Sequence, residues 1–558
     1  MIDKALSNKI IFGFLIVITI INLIQSAFTE LIFDESYYWY FSQNLSWGYF
    51  DHPPMVALMV KIGSFFSNGE LGVRLAAPFL YAGNVLLLWL LIDDEKKHKY
   101  TWLFVVFTSS IGLFVAYGFM ILPDTPLLFF SLMFLWAYKR FLTKNDLIST
   151  LVLGFSMAAV MYCKYHGILL IGFVLLSNLS LLKSSKFWLA TIISLILYVP
   201  HLYWLYEVDF APIQYHLVER ANSAYKIDFT THYLLNCIAV AGIAFPLMYW
   251  AFYKTKSKDK FDRALKFLGY GVFIFFLFSS FSRRTQAQWV ILIVIPLILF
   301  SLRYAFNHTK YRKWLFGLSA FAVVLILYLR IALIYQPISP INYEAYGNKE
   351  WTANLKNQIG DIPAVFHNSY RDASMYAFYT GATVFSSADV NARQSQYDFD
   401  SSEYKVRHQK VAFLTGTKRV EFDSVIKYTR EFRHHTIKGK FIDDYVSYRK
   451  MKCFIDSEEF KGAIPQSFQI AVYNPYNENI AVKDLPFEGV SYNFHNRIEK
   501  SFPLIINTDE TQIRSKDTLI VNAKIPDTVA MPETVFFRVG ITEQGLGAGF
   551  QGEKINIE

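Results

Sequence analysis

The chain of 558 residues is poor in charge and poor in cysteine. Only 18% of its residues are Asp, Glu, Lys or Arg, where soluble domains average about 25%. That scarcity, with 53% hydrophobic and 18% aromatic residues and a mean hydropathy of +0.27, excludes a simple soluble enzyme, a disordered chain and a nucleic-acid binder with a charged surface. Three cysteines, Cys163, Cys237 and Cys453, are too few for a disulfide framework or a zinc ribbon. The sequence also has no P-loop, no dinucleotide fingerprint and no internal repeat.

What it has is long apolar runs. A bilayer core takes about 20 apolar residues per helix. Eleven runs fit, at 10–28, 72–92, 101–118, 124–140, 147–163, 165–182, 187–206, 233–253, 264–281, 287–303 and 314–335. Residues 1–335 hold 28 Lys+Arg against 17 Asp+Glu, and the basic residues concentrate in alternate loops. With the N-terminus in the cytoplasm, twenty basic residues fall on the cytoplasmic side. Eight fall outside or at adjoining helix ends: Lys61, Arg74, Lys164, Arg220, Lys226, Arg283, Arg284 and Arg330. Lys/Arg bias sets topology, so the N-terminus is expected inside and the C-terminal region outside. The first run reads as a retained anchor.

The expected architecture is a mainly α polytopic membrane domain over 1–335, followed by two extracytoplasmic domains. Residues 336–460 mix helical and strand patterns, as in an α/β domain. Residues 461–558 alternate in short runs, as in a β-sandwich. A long outer loop, 29–71, is expected to end in an interfacial helix from Met55 to Phe66.

Ionisable residues beside membrane spans are costly and often functional. The densest group is Asp34-Glu35-Ser36-Tyr37-Tyr38-Trp39, followed by Trp47-Gly48-Tyr49-Phe50-Asp51-His52-Pro53-Pro54. Asp34 directly follows the first span, where a carboxylate can meet a lipid-linked substrate and stay ionised as a base. An aromatic interfacial belt explains the same residues equally well. Asp124, in Leu122-Pro123-Asp124-Thr125-Pro126, also fits an ordinary helix cap. Lys164, in Lys164-Tyr165-His166-Gly167, suits a phosphate or simple snorkelling. Arg283 and Arg284 run against the charge bias and match phosphate oxygens, or anionic headgroups. His216 and Arg220 form a weaker polar cluster. Asp93-Asp94-Glu95 and Asp398-Phe399-Asp400 lack the context of a nucleotide-sugar site.

These strings resemble the bacterial branch of the dolichyl-phosphate-mannose protein mannosyltransferase superfamily, which includes the aminoarabinose transferases that modify lipid A. The likeness extends over about residues 1–400, with Tyr376 to Gly381 and Arg393 to Asp398 in the outer region. It implies a GT-C fold and an inverting transfer from a polyprenyl-phosphate sugar to an extracytoplasmic glycolipid, glycan or protein, in a bacterial inner membrane. By that resemblance Asp34, Glu35 and Asp124 are the catalytic carboxylates. Lys164, Arg283, Arg284 and His52 face the donor phosphate. Asp51, Tyr37, Tyr38, His216 and Arg220 bind acceptor or sugar. Asp51-His52 stands where the aminoarabinose transferases have Glu-Lys. No cofactor is certain, and Asp34, Asp51, His52 and Asp124 could together hold a divalent cation. A flippase for a lipid-linked sugar is the alternative, but one-sided charges and the lack of repeats speak against it.

Overall fold

The computed structural model describes residues 4–220, 224–416, 425–430, 432, 435–529 and 534–557. The chain divides into two compact units, Met1–His216 with Tyr225–Tyr346, and Leu217–Ala224 with Gly347–Glu558.

The described secondary structure of the first unit is helical throughout. Five helical segments are long and apolar enough to cross a bilayer: Lys4–Phe28, Gly69–Leu91, Ser185–Glu207, Ala287–Asn307 and Thr309–Ile334. Ile227–Ala241 and Phe245–Lys254 make a sixth candidate, bent by 90°. The bend has a local cause: Gly242 takes φ +69°, and Pro246 sits in the first turn of the following helix. The other apolar runs are also helical but do not qualify as single spans. Leu147–Cys163 and Gly167–Ser177 are short, and run 101–118 divides into Thr101–Thr108 and Gly112–Ala116. Length and apolarity thus single out five or six crossings and do not establish eleven.

Burial separates the helices by environment. Ala287–Asn307 is almost wholly enclosed, whereas most of Lys4–Phe28, Ser185–Glu207 and Thr309–Ile334 is not. Their uncovered faces carry Phe12, Phe28, Phe321 and Val324, all more than 60% exposed. Apolar surface in water costs about 25 cal/mol per Å², a cost that lipid removes. Charge inside a span is turned inward and paired. Arg330, buried in Thr309–Ile334, donates to Asn22 Oδ1 at 2.7 Å and Gln25 Oε1 at 3.3 Å, and Arg303 pairs with Asp262.

Segment 29–71 is more ordered than a loop. Phe33–Gln43 and Met55–Phe66 are both helices, so Asp34 and Glu35 lie in a helix's first turn, where its positive dipole end favours carboxylates. Met55–Phe66 buries Val56, Ala57 and Val60 on one face and leaves Phe65 and Phe66 84% and 72% exposed.

In the second unit five strands form one sheet: β1 (Ala364–His367), β2 (Val384–Ser387), β3 (Val411–Thr415), β4 (Ile426–Arg430) and β5 (His435–Ile442). Their order is β2-β1-β3-β5-β4. β1 pairs in parallel with β2 and β3, and the remaining pairs are antiparallel. β1, β2 and β3 are buried along their whole length, as parallel strands covered on both faces require. Two four-stranded sheets follow. They share a core that includes Phe468, Ile470, Val472, Phe537, Val539 and Ile541, which makes a sandwich. Its first strand, Lys452–Phe454, begins ahead of the expected boundary at 460. Buried polar contacts join the sandwich to the α/β sheet region: Arg449 Nε lies 3.2 Å from Glu543, and Glu403 accepts from the Tyr476 hydroxyl at 2.8 Å.

Candidate functional site

Glu35 has no exposed side-chain surface. Its Oε1 accepts from Arg74 Nε at 2.7 Å and from the Ile121 amide at 2.9 Å. Its Oε2 accepts from Arg74 NH2 at 2.5 Å and from the Ile32 amide at 3.2 Å. Arg74 also donates to the carbonyls of Ser26, Thr29 and Glu30. This closed bidentate pair ties the end of the first span, the Asp34 helix and the segment leading to Asp124 into one frame. Every oxygen of Glu35 is engaged, so the geometry gives it a structural task where the sequence suggested a catalytic one. Arg74, the other half of the clamp, was visible in the sequence only as a basic residue against the topological bias.

Asp34, the preceding residue, is half-buried. Tyr343, a residue that no motif marked, is held above its ordinary phenol range by burial and then by the negative charges of Glu344, Glu35 and Asp34, against the positive charge of Arg74.

Asp124 and Lys164 are 2% and 6% exposed. Lys164 Nζ donates to both carboxylate oxygens of Asp124, at 2.8 and 3.0 Å. Read from the sequence, the two residues have separate roles, one catalytic and one phosphate-binding. The structure makes them one neutral pair, with the lysine's charge already compensated.

Asp51 and His52 sit at the Pro-Pro turn. The Tyr37 hydroxyl donates to Asp51 Oδ1 at 3.3 Å, and the Tyr37 ring packs edge-on against Phe41 at 4.4 Å. Tyr37 is 1% and Tyr38 6% exposed. Both therefore serve as packed supports for the turn, with no open faces for stacking a sugar. Tyr38 lies 5.6 Å from the His52 ring. Tyr49, stacked on Phe41, donates to the Phe41 carbonyl, and burial pushes its phenol up to about 12. His216 Nε2 contacts the Asp51 carbonyl at 2.9 Å, and the His216 carbonyl accepts from Arg283 NH1 at 2.8 Å. The Arg283 guanidinium lies 5.7 Å from the Trp289 ring. His216 thus bridges the Asp51 turn and Arg283.

Arg284 parts company with its neighbour: it is exposed, while Arg283 is half-buried. Arg220 is assigned to the other compact unit. The proposed cation set is not assembled either. Among the described residues no three of His, Cys, Asp and Glu stand together as metal ligands, and Lys164 already occupies both oxygens of Asp124.

Beside the Asp51 turn opens an apolar cavity of about 430 Å³ lined by Leu45, Ser46, Trp47, Pro54, Met55, Leu58 and Tyr162. Apart from one serine and the tyrosine hydroxyl its side chains are hydrocarbon or aromatic, a lining suited to an alkyl or prenyl chain.

Residues 51–204 match the dolichyl-phosphate-mannose-protein mannosyltransferase family, which takes in Asp51, His52, Asp124 and Lys164. A curated relative, the lipid A galacturonosyltransferase RgtD of Rhizobium johnstonii, is 22% identical over 279 residues. That alignment covers 47% of this chain and 58% of the relative's length. The crystal structure of ArnT from Cupriavidus metallidurans in the apo state superposes with a TM-score of 0.57 at 13% identity, covering 77% of this chain and 98% of that one. The same protein bound to undecaprenyl phosphate gives 0.51 at 14% identity, covering 77% and 97%. The chain thus shares the fold of ArnT and, over the segment that carries Asp51, His52, Asp124 and Lys164, resembles the dolichyl-phosphate-mannose-protein mannosyltransferase family.

Proposed function

We propose that the protein is an inverting glycosyltransferase of the bacterial inner membrane, moving a sugar from a polyprenyl-phosphate carrier to a glycolipid, glycan or protein on the outer face. The observation that carries this reading is local. A turn bearing Asp51 and His52, linked through His216 to Arg283, borders an apolar cavity large enough for part of a prenyl chain. Basic groups beside hydrocarbon suit a ligand that is a phosphate at one end and a lipid along the rest. ArnT of C. metallidurans has been solved with such a ligand, undecaprenyl phosphate, and RgtD is named for transfer to lipid A. Both are counterparts of a transferase, which disfavours the flippase.

In this reading Asp34 is the general base. The acceptor hydroxyl attacks the anomeric carbon and its proton passes to Asp34. The bond from carbon to the phosphate oxygen breaks, and the electron pair stays on the polyprenyl phosphate. A single displacement inverts the anomeric centre. Arg283 and His52 steady the growing phosphate charge by electrostatic preorganisation. Glu35 and Arg74 hold the base in place, and the Asp124–Lys164 pair fixes the wall between the two ends of the site.

The test is transfer in detergent from a defined polyprenyl-phosphate sugar to extracted envelope glycolipids. Product formed without sealed vesicles supports the transferase. Movement of lipid-linked sugar across vesicles with no product at any acceptor would replace it with the transporter.

A further inference from the structure

The sequence offered Lys164 as the lysine for the donor phosphate, yet Asp124 holds that amine on two oxygens. Two residues further on stands His166, which no motif role absorbed. Its half-buried ring is held between Phe276 at 5.4 Å, edge-on, and Trp289 at 5.5 Å. Its Nδ1 is buried and meets no hydrogen-bond partner among the described residues. Such a group costs free energy unless something outside the chain satisfies it.

The groups around His166 narrow what that something is. The Arg283 guanidinium packs on the same Trp289 ring, at 5.7 Å, and donates to the carbonyl of His216, whose ring lies 6.4 Å from that of His52. A guanidinium on the aromatic wall that holds the imidazole suits an anion. The aromatic walls fix the imidazole so that little rotamer entropy is lost on binding.

Resting on the transferase reading above, we propose that His166 contacts the phosphate of the lipid-linked donor and keeps hydrogen-bonding to it as the sugar leaves. It gives up no proton in the step. The acceptor's proton goes to Asp34, the carbon–oxygen bond to phosphate breaks, and the phosphate changes from a singly charged diester to a more highly charged monoester. A hydrogen bond to a charged acceptor is worth more than one to a neutral acceptor. The contact therefore strengthens along the reaction and is tightest in the released polyprenyl phosphate.

The experiment uses full-length protein in detergent, with undecaprenyl phosphate and inorganic phosphate as probes. His166→Ala should weaken undecaprenyl phosphate binding by about tenfold to a hundredfold and raise the KM for donor, leaving the KM for acceptor unchanged. His166→Asn, which keeps a donor group, should recover part of the loss. That recovery separates phosphate contact from ring packing, and a matching melting temperature for the Asn variant covers the case in which the Ala variant folds poorly. Undecaprenyl phosphate binding that is equal in wild type and both variants overturns the assignment, as does a loss shared equally by donor and acceptor. Inorganic phosphate competing as well as the lipid would make this a free-phosphate site and overturn the lipid assignment. A well-folded wild type that binds no undecaprenyl phosphate and transfers no sugar refutes the transferase reading itself. A wild type that transfers normally alongside indifferent His166 variants refutes only the role of His166.

Discussion

Replacing Glu35 with Gln should damage stability far more than Asp34→Asn, although the two carboxylates are adjacent. Glu35 accepts four hydrogen bonds, two from Arg74 and two from backbone amides. Arg74 is fully buried, and its three further bonds are to neutral carbonyls. The Gln variant removes the counter-charge that Arg74 holds on two oxygens and turns an NH2 group toward donors. Breaking one side of a buried ion pair costs about 3–5 kcal/mol, because the other charge stays buried. The double variant Glu35→Gln/Arg74→Met should recover a large part of that, since no uncompensated charge remains. The assay is thermal or denaturant unfolding of purified protein in a fixed detergent, with transfer measured on the same samples. Glu35→Gln should melt well below wild type, and its remaining activity should track its folded fraction. Asp34→Asn should melt with wild type and be inactive. A Glu35→Gln variant as stable as wild type but without activity would refute the clamp and return Glu35 to the chemistry.

Asp34→Asn should reduce turnover by about 10²–10⁴-fold, the usual contribution of a general base; near-normal transfer would remove that role. Gly48→Ala should be poorly tolerated, because a Cβ there would lie 2.2 Å from the Trp204 ring, and overpacking typically costs about 1–3 kcal/mol; unchanged melting would show that the ring yields freely. Met55→Trp narrows the apolar cavity and should impair long-chain donors more than short-chain ones, read as a ratio of kcat/KM; an unchanged ratio would place the chain elsewhere. In the outer unit two buried groups give opposing pH terms. Burial lifts Asp398 to about 6, so its contribution is complete below its ordinary pKa near 4 and fades as pH rises through 6. Burial lowers His367 to about 4, so its contribution is complete above 6.5 and fades as pH falls through 4. Unfolding of the outer unit in Asp398→Asn should therefore show stability rising more steeply between pH 4 and 6.5 than in wild type; an unchanged slope would refute the burial of that carboxyl.

The helical first unit and the strand-rich second one were readable because hydrophobic period and run length are local properties. The motif residues were readable for the same reason: Asp34, Asp51, Asp124 and Lys164 sit in short, unusual strings. What those residues do to one another was not. The Asp124–Lys164 pair spans 40 positions and Glu35–Arg74 spans 39, and a carboxylate read alone looks catalytic whether or not a buried cation meets it in the fold. His166 was missed for the opposite reason, since it breaks no local rule; only packing sets its ring between Phe276 and Trp289 and leaves its Nδ1 buried. The helix Phe33–Gln43 left a signal that was passed over. Tyr37 and Phe41 lie four apart and touch, and two acids open the first turn, while the polarity of the stretch suggested a loop. The span count is not settled by apolar length, for a physical reason as well. In a bundle where Ala287–Asn307 is enclosed by other helices, a segment can be short, kinked or charged and remain membrane-embedded, because protein in place of lipid satisfies its polar groups. Apolar length therefore measures contact with lipid, and a site built at helix ends and breaks, as this one is around Lys164 and His166, lies where that measure is weakest.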